Sequence, residues 1–468
     1  MFKSFRHIPG AATPLALAAL SLAVAAGLAL PMNAHASAFQ LKEDSAKAMG
    51  RAYAGSATAG GDVSVVANSP AAMSDLKGTY FQADVTAINF SAKFSGSAVD
   101  GEGRPISGGN GGDGGTTLPV PALFFETQLS DRWHVGASFT VPFGFQTEYD
   151  KNWVGRYNGI KSKFQSLDAT LSASYAVTDT FSVGASAIAQ KTSATLTSAV
   201  NFNGVGYELA GQAGLPPALV DGLIPPGTDG MASIKGDDWG WGWQLGGYWK
   251  LSPNDRFSLN YRSKISHKLH GTANFNVPDN VTSLVTSLAP LLGLNANSLP
   301  FQHTTGTADF TTPAVANASY WHQAEKFGVG IDLAWTKWDV FKNLTVNYGN
   351  PYQPPTVEAF NWRNTWYASI GGDYYLNEQV TLRAGVAVDT TPTSARTRDV
   401  RVPDSTRKMV SFGIGYKPTD RFEINASYAH IFVNQAHLDG SVSPTGDVVT
   451  GQFDDYGNLL SLSAQYHF

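Results

Sequence analysis

WGWGWQLGGYWKL, residues 239–251, decides the fold. Trp239, Trp241, Trp243, Leu245, Trp249 and Leu251 take one face by strict alternation, while Gly240, Gly242, Gln244, Gly246, Tyr248 and Lys250 take the other. Successive side chains of a strand point to opposite sides, so this is a wall with large apolar groups on one side and small or polar ones on the other. Lipid outside and a crowded or wet interior would produce that pattern. A soluble sandwich would bury the tryptophan face as core, but too many long segments repeat the alternation for one closed core.

Phe257, Leu259 and Tyr261 repeat it, as do Leu382, Ala384, Val386 and Val388, then Val410, Phe412, Ile414 and Tyr416, then Phe422, Ile424, Ala426 and Tyr428. The chain closes with Leu460, Leu462, Ala464, Tyr466 and Phe468 against Ser461, Ser463, Gln465 and His467. An aromatic end of this kind resembles the signal read by the barrel-assembly machinery, which makes that machinery an expected partner through Phe468. Short polar turns near Asp131, Asp179, Asn254, Glu325, Asn377 and Asp420 divide residues 79–468 into seven hairpins. The expected fold is all-β, a 14-stranded antiparallel transmembrane β-barrel, with short turns on the periplasmic side and long loops outside.

Residues 1–36 read as a signal peptide: Lys3 and Arg6, an apolar run over 11–30, then Ala34-His35-Ala36 as the cleavage site. The run is long enough to serve as an uncleaved anchor, but the small-residue site and the lack of a basic stop favour cleavage after Ala36. Loss of Lys3 and Arg6 takes the formal charge from −5 to −7, which argues against nucleic acid as a partner. Cysteine is absent, excluding disulfides, thiolate catalysis and cysteine metal sites. The segment 37–78 is rich in Ala, Gly and Ser, lacks the alternation and has few large side chains, so the walls that order it must come from elsewhere. It reads as an N-terminal hatch inside the lumen, or as a flexible arm.

Two loops, about 198–238 and 276–304, are unexpectedly apolar. The first carries Leu219 and Leu223. In the second, Val281, Leu284, Val285 and Leu288 follow helical spacing before Pro290, with Leu291 beyond. These loops either close together as a lid or leave a greasy groove that captures a ligand. No G-x-S-x-G or H-E-x-x-H is present, and His267 and His270 fall on opposite faces of a strand. No catalytic residue, metal site or cofactor is expected. Residues 109–115 hold one acid, too few for a calcium loop.

FQLKEDSAKAMGRAYAG (39–55), VVANSPAAM (65–73), VPFGFQTEYDKNWVGRY (141–157), DDWGWGWQLGGYWKLSPNDRFSLNYRSK (237–264) and RVPDSTRKMVSFGIGY (401–416) together resemble the FadL family of outer-membrane long-chain fatty acid transporters, which includes aromatic-hydrocarbon channels. The resemblance implies a hatch gated through Phe39, Asn68, Pro70 and Ala71. The usual Asn-Pro-Ala is altered, because Ser69 separates Asn68 from Pro70. It further implies lateral release at an inward kink of the third strand, here around Gly136 and Ala137. Arg262, Lys264 and Lys268, on what counts as the eighth strand, alternate with Phe257, Leu259, Tyr261 and Ile265 and so turn inward with Tyr248, a row able to hold a fatty acid carboxylate or to pair with Glu43, Asp44 or Asp389. The expected partners are a hydrophobic small molecule, a long-chain fatty acid, together with outer-membrane lipid and lipopolysaccharide, and the expected state is a monomer. A channel for neutral hydrocarbons and an adhesive barrel without transport are the alternatives.

Overall fold

A computed structural model of the chain describes residues 38–213, 216–288 and 299–468, so the signal-peptide reading lies outside the described residues. The barrel strands are β1 (Thr79–Val99), β2 (Thr117–Gln128), β3 (Trp133–Thr140 and Gly144–Glu148), β4 (Lys161–Ala176), β5 (Phe181–Asn201), β6 (Asp229–Lys250), β7 (Asp255–Arg262 and Ile265–Asn276) and β8 (Thr304–Thr312 and Val315–Gln323). They continue through β9 (Phe327–Thr336 and Asn343–Tyr348), β10 (Thr356–Ala359 and Thr365–Tyr375), β11 (Val380–Asp389), β12 (Arg407–Thr419), β13 (Phe422–Val433 and Ala436–Val442) and β14 (Val448–His467). Every pairing is antiparallel between neighbours, and β1 closes on β14 from Tyr80↔His467 to Val99↔Val448, giving a closed 14-stranded barrel. The row around Arg262 is therefore on the seventh strand, not the eighth.

The alternation that betrays the barrel is present on its outer face: Trp239, Trp241, Trp243, Leu460, Leu462 and Phe468 are exposed, while Gln244, Ser461 and Ser463 are buried. Several strands run far beyond the apolar band, so the first long loop shrinks to 202–228, with helices at Phe202–Ala213 and Pro217–Leu223; a third helix, Asp279–Leu288, occupies the second.

The core of the molecule lies in the lumen, where residues 38–78 fill the space. Short helices at Ala46–Met49 and Val65–Asn68 and a 3₁₀ turn at Pro70–Asp75 carry small apolar side chains onto the inner wall. Ala48, Met49 and Ala52 meet Ala387, Ala429 and Leu459. Val63, Val66, Ala71 and Met73 meet Phe124 and Tyr248. Glycines in the wall let the hatch backbone approach: a Cβ on Gly184 would lie 2.2 Å from the Ala71 nitrogen, and one on Gly385 would lie 2.2 Å from the Arg51 carbonyl. Charged groups are matched across the same boundary, Lys47 to Glu423 at 2.9 Å and Arg51 to Asp373 at 3.4 Å.

Candidate functional site

Phe39, near the start of the hatch and 3% exposed, is enclosed by aromatic rings from five strands or their breaks. Its centroid lies 4.7 Å from that of Trp338, 5.1 Å from Phe164, 5.3 Å from Phe145 and 5.4 Å from Trp362, with Phe310 and Phe341 just beyond. Trp338 and Phe341 come from the interruption of β9, and Phe360 and Trp362 from that of β10, where the chain leaves the ladder and turns its side chains inward. The Nε1 groups of Trp338 and Trp362 are buried without a hydrogen-bond partner among the described residues. The result is an aromatic cage that one hatch side chain fills. Aromatic clustering out of step with the alternation, in KWDVFK (337–342) and AFNW (359–362), was the available signal for it.

Beside the cage a cavity of about 180 Å³ reaches the barrel wall between β2 and β3. The first piece of β3 pairs with β2 only over 123–128, leaving 117–122 of β2 without that partner. The cause is a bulge: three β3 residues, Val141, Pro142 and Phe143, stand against two of β4, because Thr140 pairs with Asp168 and Gly144 with Gln165. Backbone groups there turn to the hatch instead. Leu41 N–H donates to the Pro142 carbonyl at 2.8 Å, and Gly144 N–H to the Phe39 carbonyl at 2.9 Å. On β2, Gln128 N–H donates to Gly78 and Thr116 accepts from Phe90, so even positions face β1 and odd ones face the opening. Pro119 and Pro121 are odd, and neither has an N–H to offer an incoming strand. The opening is thus kept unpaired from both sides.

Gly136 and Ala137 are not at this opening. Gly136 pairs with Glu126 and Ser172, and Ala137 with Phe125 and Leu171, in continuous ladders. Gly136 instead faces Val66 of the hatch, where a Cβ would lie 2.8 Å from that side chain.

The basic row is also corrected. β6 pairs Gln244 with Arg262 but Asp237 with His270, a shift of one residue across Ser263 and Lys264 that reverses which side chains point inward. Ile265, His267 and Leu269 are buried inside, whereas Lys264 and Lys268 are exposed outside. Only Arg262 stays inside, held by the fully buried Asp168 at 2.6 Å. Tyr248 is inside and donates to Asp75 of the hatch at 3.1 Å, next to Lys250, which makes it a hatch anchor. Of the hatch residues, Asn68 donates to Asp44 at 3.0 Å, Pro70 and Ala71 lie against Gly184, and the Ala71 carbonyl accepts from Ser174 and Ser182. Burial raises the Asp44 carboxyl to about 7; the Asn68 hydrogen bond opposes the rise and nearby Asp62 adds to it.

The two long loops touch. Ile224 packs in one cluster with Val281, and Leu284 and Val285 lie against it. Leu219 and Leu223 remain exposed. Leu288 ends the helix Asp279–Leu288, and Leu291 lies outside the described residues.

A family model described as outer membrane protein transport protein (OMPP1/FadL/TodX) matches residues 27–468. The long-chain fatty acid transport protein of Escherichia coli O6:H1 is 27% identical over 416 residues, 88% of this chain and 90% of that one. Outer membrane protein P1 of Haemophilus influenzae is 26% identical over 97% of this chain and 98% of its own. The crystal structure of a Pseudomonas aeruginosa FadL homologue aligns with a TM-score of 0.85 and 30% identity, over 92% of this chain and 100% of that one. The Pseudomonas putida toluene transporter TodX, at 21% identity and a TM-score of 0.64 over 92% of this chain and 100% of its own, shares the fold. The chain belongs to the OMPP1/FadL/TodX family of outer-membrane transport proteins, channels for hydrophobic compounds and not enzymes.

Proposed function

We propose that this chain carries long-chain fatty acids inward, from capture at the exposed Leu219 and Leu223, through the cage occupied at rest by Phe39, to lateral release between β2 and β3. The long loops then face the cell exterior and the short turns the periplasm. The single observation that carries the reading is the position of Phe39. A hatch side chain stands in the cage while the adjoining backbone, 39–41, bridges to the bulge that keeps the wall open. A ligand chain entering the cage displaces Phe39, and the segment tied to the opening moves with it.

A fatty acid is favoured over a neutral hydrocarbon by the cavity lining. Lys163, Arg401 and Arg407 line it with Leu118, Val120 and Ile431. Arg401 is paired with Glu358 and Arg407 with Asp404, whereas Lys163 makes no ion pair among the described residues. Burying about fourteen methylenes at about 0.8 kcal/mol each gives roughly 11 kcal/mol before ordering costs, so the chain supplies affinity and the cation orients the acid. The test is equilibrium binding of palmitate and of hexadecane to the parent and to Lys163→Ala. Palmitate binding should weaken about tenfold and hexadecane binding should not change. An equal change for both ligands would favour the hydrocarbon channel, and binding without uptake into liposomes would favour a surface barrel that transports nothing.

A further inference from the structure

The outer wall of the barrel carries a trough along β8. Ala316 pairs with Tyr261 of β7 and Trp335 of β9, and Ala318 pairs with Leu259 and Leu333 of the same strands. Leu259, Tyr261 and Leu333 are exposed on the lipid side, and residues directly opposite in a ladder share a face, so both alanines face lipid. Two methyl groups between banks of large side chains leave a groove of about 500 Å³. That falls within the roughly 300–1,000 Å³ of built ligand sites. The groove is on a different part of the wall from the opening between β2 and β3.

Two lysines stand at the long-loop end of this groove. Lys264, exposed on the lipid side, makes no ion pair among the described residues. The pairs Ile265↔Thr312 and Arg262↔Val315 bracket it, which puts it beside Pro313 of β8. On the other side the Lys337 N–H donates to the Ala314 carbonyl at 2.9 Å. The Lys337 ammonium lies 5.9 Å from the Trp335 ring centre and 3.0 Å from Asp339. The two lysines therefore flank β8, about 10 Å apart at their backbones by the spacing of strands. Trp335 stands eight residues beyond Phe327, at the short-turn end of β9, or about 26 Å along a tilted strand. The rim of the groove is thus near one boundary of the apolar band.

We propose that this groove binds the phosphate-bearing lipid of the leaflet at the long-loop end, with one acyl chain over Ala316 and Ala318 and a phosphate between Lys264 and Lys337. Charge complementarity selects that occupant. An uncharged lipid would fill the trough equally well but would leave Lys264 without a counter-ion on a lipid-facing wall, where a cation is costly away from the interface. Lysine stems lie along apolar surface while their heads reach phosphate level. Lys268 stands further along β7, opposite the exposed Asp309 and beyond the trough. In the function proposed above the long loops are outside, which makes this a lipid of the outer leaflet; only that leaflet assignment rests on that reading. The site holds whichever hydrophobic compound is carried.

Purified protein in detergent is titrated with diphosphorylated lipid A and, separately, with the same lipid after dephosphorylation, and bound lipid is counted by native mass spectrometry. The parent should hold one lipid A at least tenfold more tightly than the dephosphorylated form. Lys264→Gln with Lys337→Gln should remove that preference. Ala316→Phe with Ala318→Phe, which fills the trough from the lipid side, should weaken both lipids about tenfold. Lys417→Gln, an exposed lysine paired with Asp420 at a short turn, should change neither. Every substituted side chain points away from the lumen, so each variant should still migrate as a folded barrel on unheated gels. Equal affinity of the parent for the two lipids overturns the proposal, as does an unchanged preference in the double lysine variant or an equal loss in Lys417→Gln. So does a dimer of the parent that Ala316→Phe dissociates, which would make a second copy of the chain the occupant.

Discussion

Replacing Phe39 by alanine should make the protein bind its ligand more tightly, which runs against the usual result of emptying an aromatic site. Phe39 is 3% exposed, so its truncation removes nearly all of a phenyl ring's burial. Phenylalanine-to-alanine changes in cores cost about 3–5 kcal/mol, and the lower figure applies where a neighbouring cavity lets the site relax. Here that loss falls on the seated hatch, because the barrel strands keep all their ladder bonds. If the site accepts ligand only when Phe39 leaves, apparent affinity is the intrinsic value scaled by the fraction of empty cages. About 3 kcal/mol against the occupied state raises that fraction by roughly a hundredfold, and affinity rises up to the same factor. Titration of a fluorescent fatty acid into purified protein in lipid nanodiscs reads this directly. Phe164→Ala, which removes cage wall and not the plug, should weaken binding in the same assay. Equal or weaker binding in Phe39→Ala would refute the idea that Phe39 and ligand compete, and would leave the cage as a mere anchor.

Gly136→Arg should disrupt the hatch and not block an exit: a Cβ there already meets Val66 at 2.8 Å, so even Gly136→Ala should speed hydrogen exchange across 63–73. Arg262→Ala strands the buried Asp168 and should lower barrel stability by about 3 kcal/mol, read from thermal loss of the compact gel band, while Lys264→Ala should change neither stability nor binding. Asp44 supplies a pH dependence: its carboxyl rises from 3.8 to about 7 in the seated hatch, so the seated state binds the extra proton and loses stability as pH climbs through that interval. Exchange of hatch amides should accordingly be faster at pH 8 than at pH 5 beyond the intrinsic chemical difference, and Asp44→Asn should remove that excess.

Alternation and turn chemistry located the outer face and the strand count well, because lipid imposes one condition on every outward position. Trp239, Trp241 and Trp243 could be placed without knowing any neighbour, and so could Leu460, Leu462 and Phe468. The inner face obeys no such rule. Its partners are residues 38–78, remote in sequence, and whether a position is glycine, arginine or serine depends on which hatch atom lies opposite. Gly184 answers Ala71, Gly385 answers Arg51 and Tyr248 answers Asp75. Errors arose where a strand changes step. One extra residue near Ser263 sent Lys264 and Lys268 outside, and the three-against-two mismatch at Val141, Pro142 and Phe143 put the wall opening beyond the Gly136 that the family resemblance implied.

Those changes of step are also where the protein is least like a plain barrel. A regular strand offers its inward side chains at fixed intervals and satisfies its own backbone, so it has nothing left with which to hold or release a hatch. The bulge in β3 frees the Pro142 carbonyl and the Gly144 N–H for Leu41 and Phe39, and the breaks in β9 and β10 supply the indoles that surround Phe39. The β3 bulge and the β9 and β10 breaks give up ladder bonds and gain contacts to Phe39 or to its neighbour Leu41. A gate that must both close the lumen and respond to an apolar ligand needs that concentration, since a hatch bound evenly around the wall would have to break every contact before any one part could move. Phe39 is caged chiefly by the breaks of β9 and β10 and Ala71 lies against Gly184 of β5, with β4 touching both through Phe164 and Ser174, so a ligand that displaces Phe39 is expected to leave Ala71 in place.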